Sequence, residues 1–205
     1  MSSRCLGRQP VQDTRRRFVV RELQVDMFST VDGFGSGGPR SAPYWGYDGP
    51  GLYEWMHAQL AEDHVMVMGA TSYRLMADIV AAGDDPTFPR MAELPKIVFS
   101  KTLTPPLTWA NTTIIDTPIE TAVPALKAET DGIPMRTIGS PSLVRSLFQQ
   151  HLVDRLRVMV FPMVHGVKGE GPPFSELPAV ELTLIGTTVI DENLVLLDYR
   201  VGDRL

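Results

Sequence analysis

Cysteine is almost missing from this chain: Cys5 is the only one, which excludes an internal disulfide and any cysteine-based metal cluster. Such usage fits a reducing compartment. No apolar run approaches the ~20 residues of a membrane-spanning helix, and the N-terminus has no apolar core of the kind a secretory signal carries. The expectation is a cytoplasmic protein without a membrane partner. Basic excess is missing as well: 24 acidic against 19 basic side chains leave a formal charge of −5, so no global field draws the chain onto nucleic acid. None of His57, His64, His151 and His165 stands at metal-ligand spacing from a second ligand, so no metal is expected.

What is present suits one α/β core. With 43% hydrophobic residues in 205, the chain is long enough to bury roughly 70% of its unfolded surface in a single domain. Residues 1–17 carry Arg4, Arg8, Arg15, Arg16 and Arg17 among few apolar side chains, and are read as a flexible tail ahead of a domain over 18–205. The run Arg15, Arg16 and Arg17 is read as a solvated charge cluster in preference to an anion or nucleic-acid site. In the first strand Leu23, Val25 and Met27 alternate with Gln24 and Asp26, which gives one polar face. Short continuous runs follow at Val65 to Met68, Lys96 to Phe99, Thr113 to Ile115, Arg136 to Ile138 and Leu156 to Phe161, as expected of strands covered on both faces.

Helical stripes lie between these runs: Leu52, Trp55, Met56 and Leu60; Leu75, Met76, Ile79 and Val80; Ile119, Ala122, Val123 and Leu126; Leu143, Leu147 and Phe148. Thr117, Pro118 and Glu120 spell a capping box at the start of the third. Val180 to Ile185 and Leu194 to Val201, joined through Asp191, Glu192 and Asn193, read as an antiparallel hairpin at the sheet edge. The fold class is therefore α/β: a mostly parallel sheet flanked by helices, with an antiparallel C-terminal hairpin.

Ligands of open α/β sheets bind beyond the carboxyl ends of strands. Gly69, Ala70, Thr71 and Ser72 open a helix there, and Gly139, Ser140, Pro141 and Ser142 open another. Each is either an ordinary cap or an anion site, and two in one domain suit a dinucleotide. Ser100, Lys101 and Thr102 follow a third strand; Lys101 is either a solvated loop lysine or a contact to a ribose 2′-phosphate. The run His165 to Gly171 is glycine-rich without being a Walker sequence. Asp32, before Gly33, is either a turn residue or a group that handles a proton or binds substrate. Tyr44, Trp45 and Tyr47, among glycines, are either loop packing or a wall over a flat substrate.

In order and spacing, Ser29 to Phe34, Gly69 to Tyr73, Val98 to Leu103, Gly139 to Leu147, Leu152 to Asp154 and Pro162 to Phe174 resemble the dihydrofolate reductase-like superfamily. The likeness spans about 18–201 and is closest to the reductase domain of the bifunctional riboflavin-biosynthesis deaminase/reductase and its stand-alone relatives. The resemblance implies an eight-stranded sheet, a homodimer, and NADPH passing hydride to a pterin- or pyrimidine-like heterocycle or a related carbonyl or imine. It places Gly69, Thr71 and Ser72 at phosphate, Ser100 and Lys101 on the adenosine side, and Gly139, Ser140 and Leu143 at the pyrophosphate and nicotinamide. Asp32 falls on the substrate side, where the aromatic segment, if it is the wall, also sets Trp45 against the substrate. Ala70 stands where many relatives are basic, and Ser140 replaces the second glycine of a Gly-Gly pair. Glu54 is no confident counterpart of the folate reductases' helical acid, so a true folate reductase is disfavoured. The alternative is a dinucleotide-binding protein of this fold without efficient catalysis.

Overall fold

A computed structural model of the chain describes residues 21–35, 43–83, 85–129, 132–166, 174 and 176–204. The expected tail, 1–17, and most of the glycine-rich loop, 167–171, lie outside them. The elements are β1 (Leu23–Thr30), α1 (Pro50–Ala61), β2 (Val65–Gly69), α2 (Ala70–Ala82), α3 (Phe88–Glu93), β3 (Lys96–Phe99), β4 (Thr112–Ile115), α4 (Ile119–Lys127), β5 (Met135–Thr137), α5 (Pro141–Gln149), β6 (Arg155–Phe161), β7 (Val180–Ile190) and β8 (Leu194–Arg204). They form one eight-stranded sheet in the order β4-β3-β2-β5-β1-β6-β8-β7. The first six of these are parallel, while β8 runs antiparallel to β6 and β7 antiparallel to β8. No helix among the described residues is long and apolar enough to cross a membrane.

Both faces are covered, so the short apolar runs are strands as expected. On one face Leu23, Val25, Val65, Val67, Ile97, Leu156 and Val158 pack with Val123 of α4 and with Leu143, Val144, Leu147 and Phe148 of α5. The other face holds two apolar clusters: Met66, Met68 and Val98 beneath Tyr73 and Ala77 of α2, and Met159, Phe161 and Leu196 beneath Leu52 of α1. A polar belt runs between them. Arg157 grips Asp26 through Nε at 2.7 Å and Nη2 at 2.8 Å, donates to Gln59 Oε1 at 2.6 Å, and stacks on Trp55. Arg136 donates to the Gln59 carbonyl and pairs with Glu62.

The polar face expected of β1 is present and buried, because α1 covers Gln24 and Asp26 with the partners just named. Two expectations change. In α2 the buried residues are Tyr73 and Ala77, whereas Leu75 and Ile79 are exposed; the stripe is rotated because Tyr73 supplies the largest apolar surface. Pro118, not Thr117, is the N-cap of α4, and no side chain caps it, since the helix begins one residue later than the capping box requires.

Candidate cofactor and substrate site

Parallel pairing brings the carboxyl ends of β1, β2, β3, β5 and β6 to one edge, with Thr30 opposite Phe161 and Gly69 opposite Phe99. Strand order reverses at β1, which sits between β5 and β6, and that is where an open sheet leaves a crevice. Two helices start beside it. Gly69 is the N-cap of α2 in extended conformation, and Ser140 is the N-cap of α5, its Oγ accepting from the Leu143 amide at 3.4 Å. The Gly139–Ser140 peptide is cis.

The two starts interlock. A Cβ at Gly69 would lie 3.0 Å from Ser140 Oγ, and a Cβ at Gly139 would lie 3.0 Å from Ser72 Oγ. Gly139 also has φ +52°, a conformation that side chains disfavour. Backbone and hydroxyls therefore crowd together where a larger side chain would intrude. Because the first N–H groups of a helix lack intrahelical partners, these neighbouring helix starts bring together donors suited to linked phosphates. Gly69, Ser72, Gly139 and Ser140 are the residues that could hold the phosphates of a dinucleotide there. Thr71 is exposed on the first turn of α2. The Leu143 side chain is buried in the α4–α5 core, and its amide donates to Ser140 Oγ.

The loop after β3 is internally fixed, with Ser100 Oγ accepting from the amides of Thr102 at 3.0 Å and Leu103 at 2.9 Å. Lys101 is exposed on it, and Arg74 of α2 reaches across to Thr102. That contact was missing from the sequence reading, because Arg74 and Thr102 are 28 residues apart.

Asp32 closes the turn after β1. Its carboxylate accepts from Thr30 Oγ1 at 2.6 Å, from the Gly166 amide at 2.7 Å and from the His165 amide at 3.2 Å, tying the β1 loop to the β6 loop. The Thr30 hydroxyl first, then the two loop amides, holds the carboxyl down at about 2. At neutral pH Asp32 is thus an ionised acceptor, a role opposed to proton donation.

The aromatic turn Pro43–Gly46 lies over Phe161, the last residue of β6. Trp45 has its ring centroid 4.9 Å from that of Phe161, Tyr44 stacks on it at 6.2 Å, and Tyr47 meets it edge-on at 5.8 Å. Trp45 Nε1 and His165 Nε2 are buried without a hydrogen-bond partner among the described residues, in rings 6.4 Å apart. This packing arises because Phe161, fully buried, presents an aromatic platform at a strand end. Sequence inspection singled out Trp45 but not the platform, since Phe161 reads as one more core residue.

Among solved structures, a candidate riboflavin biosynthesis protein from Shewanella sp. PV-4 superposes with a TM-score of 0.65 at 18% identity, over 89% of this chain and 99% of that one. Acinetobacter baumannii RibD gives 0.62 at 11% identity, over 90% of this chain and 58% of that one. Dihydrofolate reductase from Enterococcus faecalis, complexed with NADP(H) and RAB-propyl, gives 0.59 at 13% identity, over 89% and 97%. These likenesses show a dihydrofolate reductase-like fold, and no curated protein matches the chain. Residues 21–196 match the family described as the RibD C-terminal domain, so the chain belongs to that family.

Proposed function

We propose that this protein is an NADPH-dependent reductase that passes a hydride to a small pterin- or pyrimidine-like heterocycle, or to a related carbonyl or imine. The observation that carries this reading is the reciprocal fit of Gly69 with Ser140 and of Gly139 with Ser72. Family membership adds a reductase precedent, and the Enterococcus faecalis structure adds a relative complexed with NADP(H). The bound nicotinamide would supply the hydride. The chain's own residues bind and orient it: Gly69, Thr71, Ser72, Gly139 and Ser140 take the phosphates, while Ser100 and Lys101 take the adenosine side.

Trp45 forms the wall of the substrate side, together with Tyr44 on the Phe161 platform. Asp32 holds the two loops that frame it and contributes fixed negative charge. As an acceptor at neutral pH it leaves the substrate's proton to water. That feature also favours the second reading, a dinucleotide-binding protein of the same fold without efficient catalysis. Titration with NADPH and NADH, followed by loss of reduced-nicotinamide absorbance over a panel of pterins, folates, pyrimidines and flavin precursors, separates the two. Turnover of any panel member supports the reductase. Binding without turnover supports the second reading, and no binding of either nucleotide overturns both.

We further propose that the protein is a cytoplasmic homodimer. The edge strand β7 leaves an 11-residue row open to pairing and exposes Leu182, Leu184, Ile185 and Val189, an arrangement that monomers usually blunt with charge.

A further inference from the structure

We infer that Trp45 Nε1 and His165 Nε2 form a recognition pair for the carbonyl edge of a flat heterocycle, a ring C=O beside a ring N–H, and that Trp45 selects oxo over amino compounds. This rests on the substrate side proposed above and assigns its polar contacts, which an aromatic wall alone does not supply. The pair lies at the carboxyl edge of the sheet. Trp45 packs on Phe161, the last residue of β6, and His165 follows in the loop whose amides Asp32 holds. Only β1 stands between β6 and β5, after which the Gly139 turn begins, so a ring bound here lies beside the proposed cofactor turn.

Orphaned nitrogens set these two rings apart. The buried side-chain nitrogens without a hydrogen-bond partner among the described residues are Trp45 Nε1, Trp109 Nε1, Arg136 Nε, Arg145 Nε and His165 Nε2. Both arginines are satisfied through other nitrogens of the same guanidinium, Arg136 by Gln59 and Glu62 and Arg145 by Glu176. Trp109 lies in the core beneath α2, with Lys96 against its ring. Of these nitrogens only those of Trp45 and His165 fall in neighbouring rings. A buried donor left unmade costs more than an ordinary hydrogen bond gains, so such a pair marks a place where a ligand completes the site.

The chemistry of the two atoms defines that ligand. An indole N–H only donates, whereas an imidazole nitrogen donates or accepts according to its tautomer. Asp32, ionised against the His165 amide, disfavours a carboxylate or phosphate there. A neutral ring amide satisfies both nitrogens at once: its carbonyl accepts from Trp45 Nε1, and its N–H donates to His165 Nε2. Exchanging the carbonyl for an amino group would set donor against donor at Trp45, while His165 adapts by changing tautomer. The edge enters by a shift of the turn that carries Trp45. Tyr44, Trp45 and Gly46 stand at φ +50°, +55° and +79°, a left-handed run that bulky side chains disfavour, while Tyr47 beyond it is held by Asp191.

The test is calorimetric binding of pterin and of 2,4-diaminopteridine, which differ by an oxo-to-amino exchange and the ring proton beside it, with NADP+ present so that no hydride passes. The proteins are the parent, Trp45→Phe, His165→Leu and His165→Gln. The parent should prefer pterin at least about tenfold, which is ~1.4 kcal/mol. Trp45→Phe keeps an aromatic ring on Phe161 and loses the N–H, so the preference should fall close to unity through weaker pterin binding. His165→Leu should weaken both pteridines alike, and His165→Gln, whose amide also donates or accepts, should recover part of the loss. NADP+ affinity near the parent's shows that each variant is folded. If NADP+ and pterin bind the parent but it shows no oxo preference, or the preference survives in Trp45→Phe, the assignment is overturned while the reductase reading stands. A His165→Leu that binds both pteridines as the parent does overturns the pair in the same way. If NADP+ binds and neither pteridine does, the heterocycle and the assignment fall while the cofactor reading stands. If NADP+ does not bind the parent, the cofactor reading itself falls and the assignment with it.

Discussion

The Asp191 carboxylate caps the first turn of α1 from 140 residues away, its Oδ1 2.8 Å from the Gly51 amide and its Oδ2 3.1 Å from the Leu52 amide. The same Oδ2 accepts from Tyr47 Oη at 3.3 Å, so the β7–β8 turn fixes both α1 and the aromatic segment before it. Removing a cap costs about 1 kcal/mol. Asp191→Ala should therefore lower the unfolding free energy by about that much in urea, with Asp191→Asn intermediate. Gly51→Ala should also destabilise although alanine favours helices, since its Cβ would meet Asp191 Oδ1 at 2.5 Å. A stabilised Gly51→Ala would show that the turn yields freely.

Gly139→Val should weaken NADPH binding at least about tenfold. The side chain would sit at φ +52° and press on Ser72 Oγ. The circular dichroism spectrum should remain native. Ser140→Ala should do less, because the backbone N–H survives and only the hydroxyl's contacts with the Leu143 amide and the Ser142 hydroxyl are lost. Unchanged affinity in a folded Gly139→Val would mean that the dinucleotide does not cross this turn.

Lys96 is 1% exposed, its Nζ donating to the carbonyls of Leu94 at 2.6 Å and Ala92 at 3.1 Å, and burial brings its pKa down to about 8. Between pH 8 and the ordinary 10.5 the folded state holds fewer protons than the unfolded chain. Stability should rise with pH across that window, and the cost of burying the ammonium is fully present below it. Lys96→Met should remove the rise, which urea unfolding at a series of pH values would record. An equal rise in the variant would assign the effect to another group.

For Asp32 the sign is the reverse. Its folded pKa of about 2 lies below the ordinary 3.8, so its stabilisation is present above 3.8 and is lost as pH falls through 2. Asp32→Asn should melt below the parent at neutral pH, and the gap should close in acid. A gap that stays constant on acidification would mean that the hydrogen bonds matter without the charge.

The homodimer is checked by light scattering at micromolar concentration, where a dimeric mass is expected. Leu184→Lys, on the exposed edge strand, should shift the population toward monomer without loss of fold. A monomeric parent would rule the assembly out.

Most of the sheet was legible in the sequence because its strands are short apolar runs between glycine and helix-cap signals; Val65–Gly69 and Lys96–Phe99 are examples. The α5 start was legible for the same local reason, Ser140 before Pro141. What stayed hidden was non-local. Nothing near Asp26 announces Arg157, 131 residues on, and nothing near Gly51 announces Asp191, so neither the partner of the polar strand face nor the cap of α1 is written in local pattern. Thr117 failed as a cap for the opposite reason: the local pattern was right, but Pro118 took the boundary position.

The polar belt of Asp26, Arg157, Gln59, Arg136 and Glu62 has an evolutionary consequence. It partitions one face into two wings, α1 and its aromatic turn on β6, β8 and Asp191, and α2 on β2 and β3, which meet where Leu60 at the end of α1 packs into the second cluster and Arg90 of α3 donates to the Leu60 carbonyl. Substitutions in the first wing ahead of that junction need not propagate into the second. On the function proposed above, substrate preference can then drift through residues 43–58 while nucleotide contacts are inherited intact. In a library randomised over that segment with Gln59 retained, loss of nucleotide binding should be rarer than in one randomised over residues 70–82.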